Sequence, residues 1–379
     1  MSEEQEKGWQ LLDPPEVDIP SLTVGIFTPG TSDANSFYRG WGPWFSLAKM
    51  SNHVVRLKEI KGGINWQTLY DVDLIYMCRP GGNEGVALCK ALVSAGIPLW
   101  VDYDDNYFEL PKDNPALIQT KNIAETVEEI CKLATVVSVP TQELADVFHT
   151  KGFKPIVIPN ALDIPWWSRT LGSAGKTPYQ DLGNVFYWRG GISQRDNVKY
   201  YLSSLEKFAE VQGMWVFQGY DVFGKSSTNK ESDSLYKPLK CPFSPSKLLT
   251  LPWDIIPRCF QKAYQIRPTF NIVMHTDTLF ERCKSKNAWM EATAMGAVSV
   301  VPDNPEYDLP GTLKYKAGDT TSFEAVLQAC VEMTPEEKHA RVGMSMSHLM
   351  KSCTVDLANR LRLTILSRMF SPPEETENG

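Results

Sequence analysis

Along the chain, short runs of β-branched and aromatic residues alternate with longer stretches of helical period. The runs 23–27 (TVGIF), 54–57 (VVRL), 73–78 (DLIYMC), 98–103 (PLWVDY), 136–140 (VVSVP) and 156–159 (IVIP) predict six strands. Helical patterns near 37–50, 84–95, 119–134 and 141–151 lie between them. The strands are apolar throughout rather than alternating, which predicts a parallel sheet with helices on both faces. Thr141 is a suitable N-cap for the helix QELADVFHT. The stretch 159–183 breaks the rhythm with Pro, Gly and Ser and reads as an interdomain linker. The rhythm then restarts with strands at 184–188, 214–218, 270–275 and 297–301. Helices are predicted near 196–211, 255–265, 285–295, 321–332, 335–351 and 354–370, and a long loop over 221–250. Two consecutive β/α arrays imply an α/β protein with two doubly wound sheets facing across a cleft. Ligands of such sheets collect beyond the carboxyl ends of the strands.

A length of 379 residues suits two domains. No apolar run approaches the roughly 18 residues that span a bilayer. The start, MSEEQEKGW, lacks the order of a signal peptide, so a cytoplasmic protein is expected. The eight cysteines form no CxxC pair and sit mostly in apolar runs, which suits reduced, buried thiols. The five histidines form no ligand-spaced pair, and no metal site is expected. The net charge of −7 resides in the acidic ends, 1–19 and 371–379; the body between them is near neutral. That balance neither excludes a polyanionic partner nor argues for one.

The residues just past each strand carry the candidate chemistry. Gly30, after the first strand, could let backbone approach a ligand or could be a plain turn, since no phosphate-loop glycine motif surrounds it. Arg79 ends the third strand and could meet a phosphate or an acceptor, or pair with an acid on the rim. Asp102, Asp104 and Asp105 place three carboxylates within four residues after the fourth strand. The choices there are a general base, an acceptor clamp, a cation site or a solvated capping loop. In the second half, Arg189-Gly190-Gly191 closes a strand, and Gln194, Arg195 and Asp196 open a helix, an arrangement suited to holding a diphosphate without a metal. Gln218 and His275 end the next strands. The densest cluster is 280–301, FERCKSKNAWMEATAMGAVSVV, in which Lys284, Ser285 and Lys286 precede a helix carrying Glu291 among Ala and Met. A buried Glu needs a partner, either two sugar hydroxyls or a salt bridge to Lys284.

The segment Phe280-x3-Lys284-Ser285-x5-Glu291-Ala292-x-Ala294-x-Gly296-x-Val298 resembles the nucleotide-sugar signature of group 1 glycosyltransferases, which adopt the two-domain GT-B architecture. Pro159-Asn160-Ala161-Leu162-Asp163 is similar to that family's "PNGVD" step, and Trp188-Arg189-Gly190-Gly191 stands where it has its "GR…KG" loop. The short form, with SFYRGWGPWFSL and VDYDD, resembles transferases of tailed phages and bacteria. The resemblance implies a flexible acidic 1–19, an acceptor-side Rossmann-like domain at 20–160, a linker at 161–182 and a nucleotide-sugar domain at 183–352. A helix at 353–370 would cross back to the first domain, before a disordered tail at 371–379.

The implied function is metal-independent transfer of a hexose or pentose from a nucleotide-diphosphate sugar to an acceptor hydroxyl, with no other cofactor. The implied donor set is Gly30, Arg189, Gly190, Gly191, Arg195, Gln218, His275, Lys284, Ser285 and Glu291, the last on the ribose hydroxyls. Arg39, Arg79 and Asp105 would face the acceptor. Asp102, Asp104, Asp105, Arg189 and Lys284 would carry the chemistry. Two positions depart from the pattern: Cys283 replaces a glutamate, and Ser193-Gln194-Arg195 replaces the Lys-Gly of the loop. Retention or inversion stays open. The acceptor reading leans to hydroxymethylated bases of phage DNA, supported by the Lys-rich 225–247. The alternatives are a surface glycan or small molecule, or an inactive sugar-nucleotide or carbohydrate-binding protein.

Overall fold

Among the described residues, twelve strands pair only in parallel, in two sheets of six. The computed structural model describes residues 19–28, 34–52, 54–60, 66–111, 122–174, 183–210, 213–224 and 237–370. The first sheet contains β1 (Leu22–Phe27), β2 (Val55–Glu59), β3 (Leu74–Cys78), β4 (Leu99–Asp102), β5 (Val136–Val139) and β6 (Ile156–Val157), in the order β2-β1-β3-β4-β5-β6. The second contains β7 (Val185–Gly190), β8 (Met214–Gly219), β9 (Leu248–Pro252), β10 (Phe270–Ile272), β11 (Val298–Pro302) and β12 (Leu313–Tyr315), in the order β12-β11-β10-β7-β8-β9. The order reverses between β1 and β3 in one sheet and between β10 and β7 in the other. Each sheet therefore opens a crevice at those strand ends.

The central strands β3, β4, β5 and β11 are buried along their whole length, which is why they read as unbroken apolar runs. Trp44, Tyr76 and Trp100 meet edge to face at 5.0–5.9 Å on one side of the first sheet. The final helix, Val355–Phe370, packs its Val355, Leu363 and Leu366 into that same cluster. Its Asn359 donates to the Pro43 carbonyl at 2.8 Å, so the C-terminal helix lies on the first domain. Among the described residues no helix is long and apolar enough to cross a membrane.

The stretch expected as an irregular linker contains a helix, Ile164–Gly172. Asp163 caps it, accepting from Trp166 N at 2.9 Å, and Pro165 lies in its first turn. The proline that reads as a breaker is a helix starter here, because the first-turn N–H has no helical partner to lose. The expected 221–250 loop ends in the edge strand β9, and residues 225–236 lie outside the described set. The helix expected at 196–211 is two short ones, Arg195–Tyr200 and Leu202–Lys207.

Arg39 and Asp102, expected at the cleft, are joined to each other beneath it. The guanidinium donates to both carboxylate oxygens, at 2.8 and 2.6 Å, and each side chain is only 1% exposed. It also donates to the Ile158 carbonyl (2.5 Å) and to Asn160 Oδ1 (3.0 Å), while Ser138 donates to Asp102 at 2.5 Å. With every oxygen and most N–H groups taken, neither residue has capacity left for an acceptor or a reacting proton. Their expected acceptor and catalytic roles are thus replaced by a framework role. Breaking a buried pair strands a charge, so Arg39→Met is expected to cost about 3–5 kcal/mol in urea unfolding. A loss below about 1 kcal/mol would show that the pair does not hold this domain together.

Candidate functional site

A cleft of about 500 Å³ lies between the carboxyl ends of the two sheets, at their order reversals. The first domain contributes Tyr38, Arg79, Asp104, Asp105 and Asn160 to its wall. The second contributes the end of β7 and the turn after it (Arg189 to Gln194), Trp253 after β9 and His275 after β10. Lys284, Ser285 and Asn287, where the Asn287–Ala294 helix begins, complete it.

Charge is paired throughout. Lys284 Nζ reaches across the cleft to Asp105 Oδ1 at 2.5 Å. Arg79 Nε lies 3.2 Å from Asp104 Oδ1 and donates to Tyr107 Oη at 2.6 Å. Arg79 holds a left-handed backbone, φ 58°, which a non-glycine residue keeps only where its surroundings enforce it. Burial pushes the Asp104 carboxyl up to about 6, against the pull of Arg79 and with the help of Asp105. Asp105 also suffers burial, but Lys284 and Arg79 outweigh it and hold this carboxyl below its usual range.

Arg189 forks onto Glu291, Nε to Oε2 at 2.6 Å and Nη2 to Oε1 at 2.7 Å, while Tyr38 of the other domain donates to Oε1 at 2.7 Å. Burial raises the Glu291 carboxyl, and Arg189 and Tyr38 oppose that rise. Further polar contacts join the domains: Lys284 to Asp105, Asn160 Nδ2 to Ser285 Oγ (2.8 Å), Thr141 Oγ1 to the Cys283 carbonyl (3.0 Å) and Arg282 Nε to Glu143 Oε1 (3.5 Å). All of these interdomain contacts fall on residues 282–291.

Of the residues singled out from sequence, Arg79, Asp104, Asp105, Arg189, Gly190, Gly191, His275, Lys284 and Ser285 line the cleft together. Glu291 does not line it. Its expected partner, a ribose or Lys284, is replaced by Arg189 and Tyr38, which cover both oxygens. Gln218 lies in the core beneath, accepting from Tyr187 Oη at 2.5 Å and donating to the Cys259 carbonyl, so its donor role is set aside. Arg195 turns away to Asp196 and the Lys237 carbonyl, and its neighbour Gln194 faces the cleft instead. Gly30 lies outside the described residues. Cys283 packs with Tyr103 and Phe148 in the first domain's core, with its thiol pushed up to about 12 by burial.

Sequence reasoning gave no role to Tyr38, Asn160, Trp253, Asn287 or Tyr307, all on the wall. Asn160 sat in a quoted motif, but Trp253 follows a strand that read as loop. Gly219 holds φ 107°, and a Cβ there would strike the Gly190 carbonyl, so glycine is required where β7 and β8 end side by side. Among the described residues no three His, Cys, Asp or Glu side chains come together to hold a metal ion.

No family model and no curated protein matches the chain. Solved structures do. A glycosyltransferase from Rickettsia africae aligns over 92% of this chain and 98% of its own, with TM-score 0.61 and 10% identity. A UDP-forming trehalose-phosphate synthase from Burkholderia vietnamiensis aligns over 92% and 100%, with TM-score 0.62 and 10% identity. The catalytic domain of starch synthase IV from Arabidopsis thaliana, bound to ADP and acarbose, aligns over 92% and 99%, with TM-score 0.60 and 10% identity. Two parallel sheets, each reversing order at a shared cleft, and these likenesses identify the fold as GT-B: two Rossmann-like domains face to face.

Proposed function

We propose that this chain is a glycosyltransferase moving a sugar from a nucleoside-diphosphate sugar to an acceptor hydroxyl. The observation that carries the proposal is the opposition, across one cleft, of a cationic, glycine-bearing wall and a carboxylate wall. The first is Arg189, Gly190, Gly191, Lys284 and Ser285; the second is Asp104 and Asp105. The UDP-forming and ADP-bound structural neighbours support the donor class.

Displacement at the anomeric carbon builds negative charge on the departing diphosphate. Lys284, the remaining N–H capacity of Arg189 and the opening N–H groups of the Asn287–Ala294 helix are the groups assigned to that charge, without a metal ion. In the free protein Lys284 rests on a carboxylate, so a diphosphate exchanges one anion for another. Glu291 serves by holding the Arg189 guanidinium in a fixed fork. On the acceptor side Asp104 is the base of an inverting reaction, since it alone of the two cleft acids is raised toward neutrality.

Lys284→Ala is expected to weaken nucleotide-sugar binding about 10–100-fold, the worth of one charged hydrogen bond, with little change in the ligand-free melting temperature. A thermal-shift panel of nucleotide sugars in EDTA reads both, and unchanged affinity would remove Lys284 from the site. A base must be ionised, so kcat/KM for the acceptor at saturating donor should rise with pH through a midpoint above about 6, the value in the free protein, and lose that rise in Asp104→Asn. A profile that survives the substitution assigns the base elsewhere. For the acceptor we carry hydroxymethylated DNA bases, with the exposed Lys237 and Lys240 as phosphate contacts. Transfer to such DNA should fall steeply between low and physiological salt. Absence of transfer would turn the acceptor to a glycan or small molecule and leave the donor assignment intact.

A further inference from the structure

His275 closes the strand end at the reversal between β10 and β7, on the cleft wall, yet it is only 3% exposed. Its backbone is fixed by tyrosines: its N–H donates to Tyr315 Oη at 2.7 Å, and its carbonyl accepts from Tyr201 Oη at 2.9 Å. Its ring stands edge-on to Tyr307, 5.7 Å between centroids. Behind it, Glu281 of the short helix Leu279–Arg282 is buried, with Oε2 3.5 Å from His275 Nε2. Neither His275 Nδ1 nor Glu281 Oε2 has a hydrogen-bond partner among the described residues.

Two orphaned polar atoms on one buried pair are an expensive arrangement. A neutral imidazole with its proton on Nε2 can serve Glu281 alone, whereas an imidazolium serves Glu281 and also has an Nδ1–H for an anion. In the free protein the proton is kept off: burial depresses the imidazole, Glu281 pulls it upward, and the Lys284 cation depresses it again. The other groups facing the ring and its backbone are the neutral phenols Tyr201, Tyr307 and Tyr315. An anionic ligand on Lys284 reverses the last of those charges and adds its own attraction.

We propose that His275 and Glu281 form a proton-taking half of the donor site, in which the imidazole accepts one proton from solvent as the diphosphate sugar binds and then donates to it. This rests on the donor reading above and adds a linkage to it: donor affinity rises as pH falls toward the imidazole range. The only bond change is the proton transfer itself: one N–H bond forms on the His275 ring as solvent gives up a proton.

The test is calorimetric titration of the full chain with UDP-glucose and with ADP-glucose, at about pH 7, in two buffers of different ionisation heat. The diphosphate diester of these probes carries no proton that titrates near neutrality, so any uptake belongs to the protein. For the probe that binds, uptake in the Asp104→Asn background, which removes the cleft acid already raised toward neutrality, should approach about one proton, fade as pH falls through the depressed range of the buried imidazole, and vanish when His275→Gln is added. Glu281→Gln added to that background should diminish it. Binding by the wild-type chain without uptake overturns the inference and spares the donor reading. Uptake that survives when His275→Gln is added to Asp104→Asn, or that is absent from Asp104→Asn itself, also overturns it. Failure of both probes to bind overturns the donor reading and this inference together. The wild-type and Asp104→Asn measurements decide the matter even where His275→Gln fails to fold.

Discussion

The Arg39 guanidinium ties together parts of the chain that are far apart in sequence. It grips Asp102 at the end of β4, the Ile158 carbonyl just past β6 and Asn160 at the step between domains. Asn160 in turn reaches Ser285 in the second domain. Because Arg39 is fully buried, each of those bonds replaces water it has lost, and no member can leave without stranding another. The geometry of the cleft follows from this fixed point. Asp104 and Asp105 start two residues beyond an anchored Asp102, and Ser285 stands beside Lys284.

The polar contacts between the second domain and that frame gather on one segment, residues 282–291. Its backbone carbonyl at Cys283, its Ser285 hydroxyl, its Lys284 amine and its Glu291 carboxylate each take a partner from the first domain. The Cys283 side chain packs inside the first domain's core. A thiol there adds apolar contact that a carboxylate would deny, since a buried unpaired carboxylate carries a large desolvation penalty. The departure noted at position 283 therefore has a packing reason.

Most of the sheets were legible because parallel strands covered on both faces must be apolar at every position, and helices between them must be amphipathic. Strand ends were legible too, and with them nine of the residues that line the cleft. Partner choice was not. Nothing local to Arg39 and Asp102, 63 positions apart, says that they neutralise each other, nor that Glu291 prefers Arg189 to Lys284. Those choices depend on which side chains the two sheets bring within reach. Proline misled at Pro165, where a breaker and a first-turn residue have the same letter. Trp253 was missed for a similar reason: β9 is an edge strand, only partly buried along its length, and its surroundings rich in Lys, Ser and Pro resemble loop.

Burial separates frame from working part among four of the ion pairs at and beneath the cleft. Arg39–Asp102 is 1% exposed on both sides, and Arg189–Glu291 is 15% and 2%. Lys284–Asp105 is 15% and 18%, and Arg79–Asp104 is 25% and 9%. Separating a pair strands whichever charge lacks water, so the first two resist exchange and Lys284–Asp105 exchanges most readily. In the proposed reaction this exchange has a chemical consequence. Once Lys284 turns to a diphosphate, Asp105 keeps its charge with one cation fewer, beside an Asp104 that it already pushes upward. Arrival of the donor then makes Asp104 more basic just when an acceptor hydroxyl needs deprotonating. One lysine couples the two substrates through charge alone, with no movement of the frame beneath it.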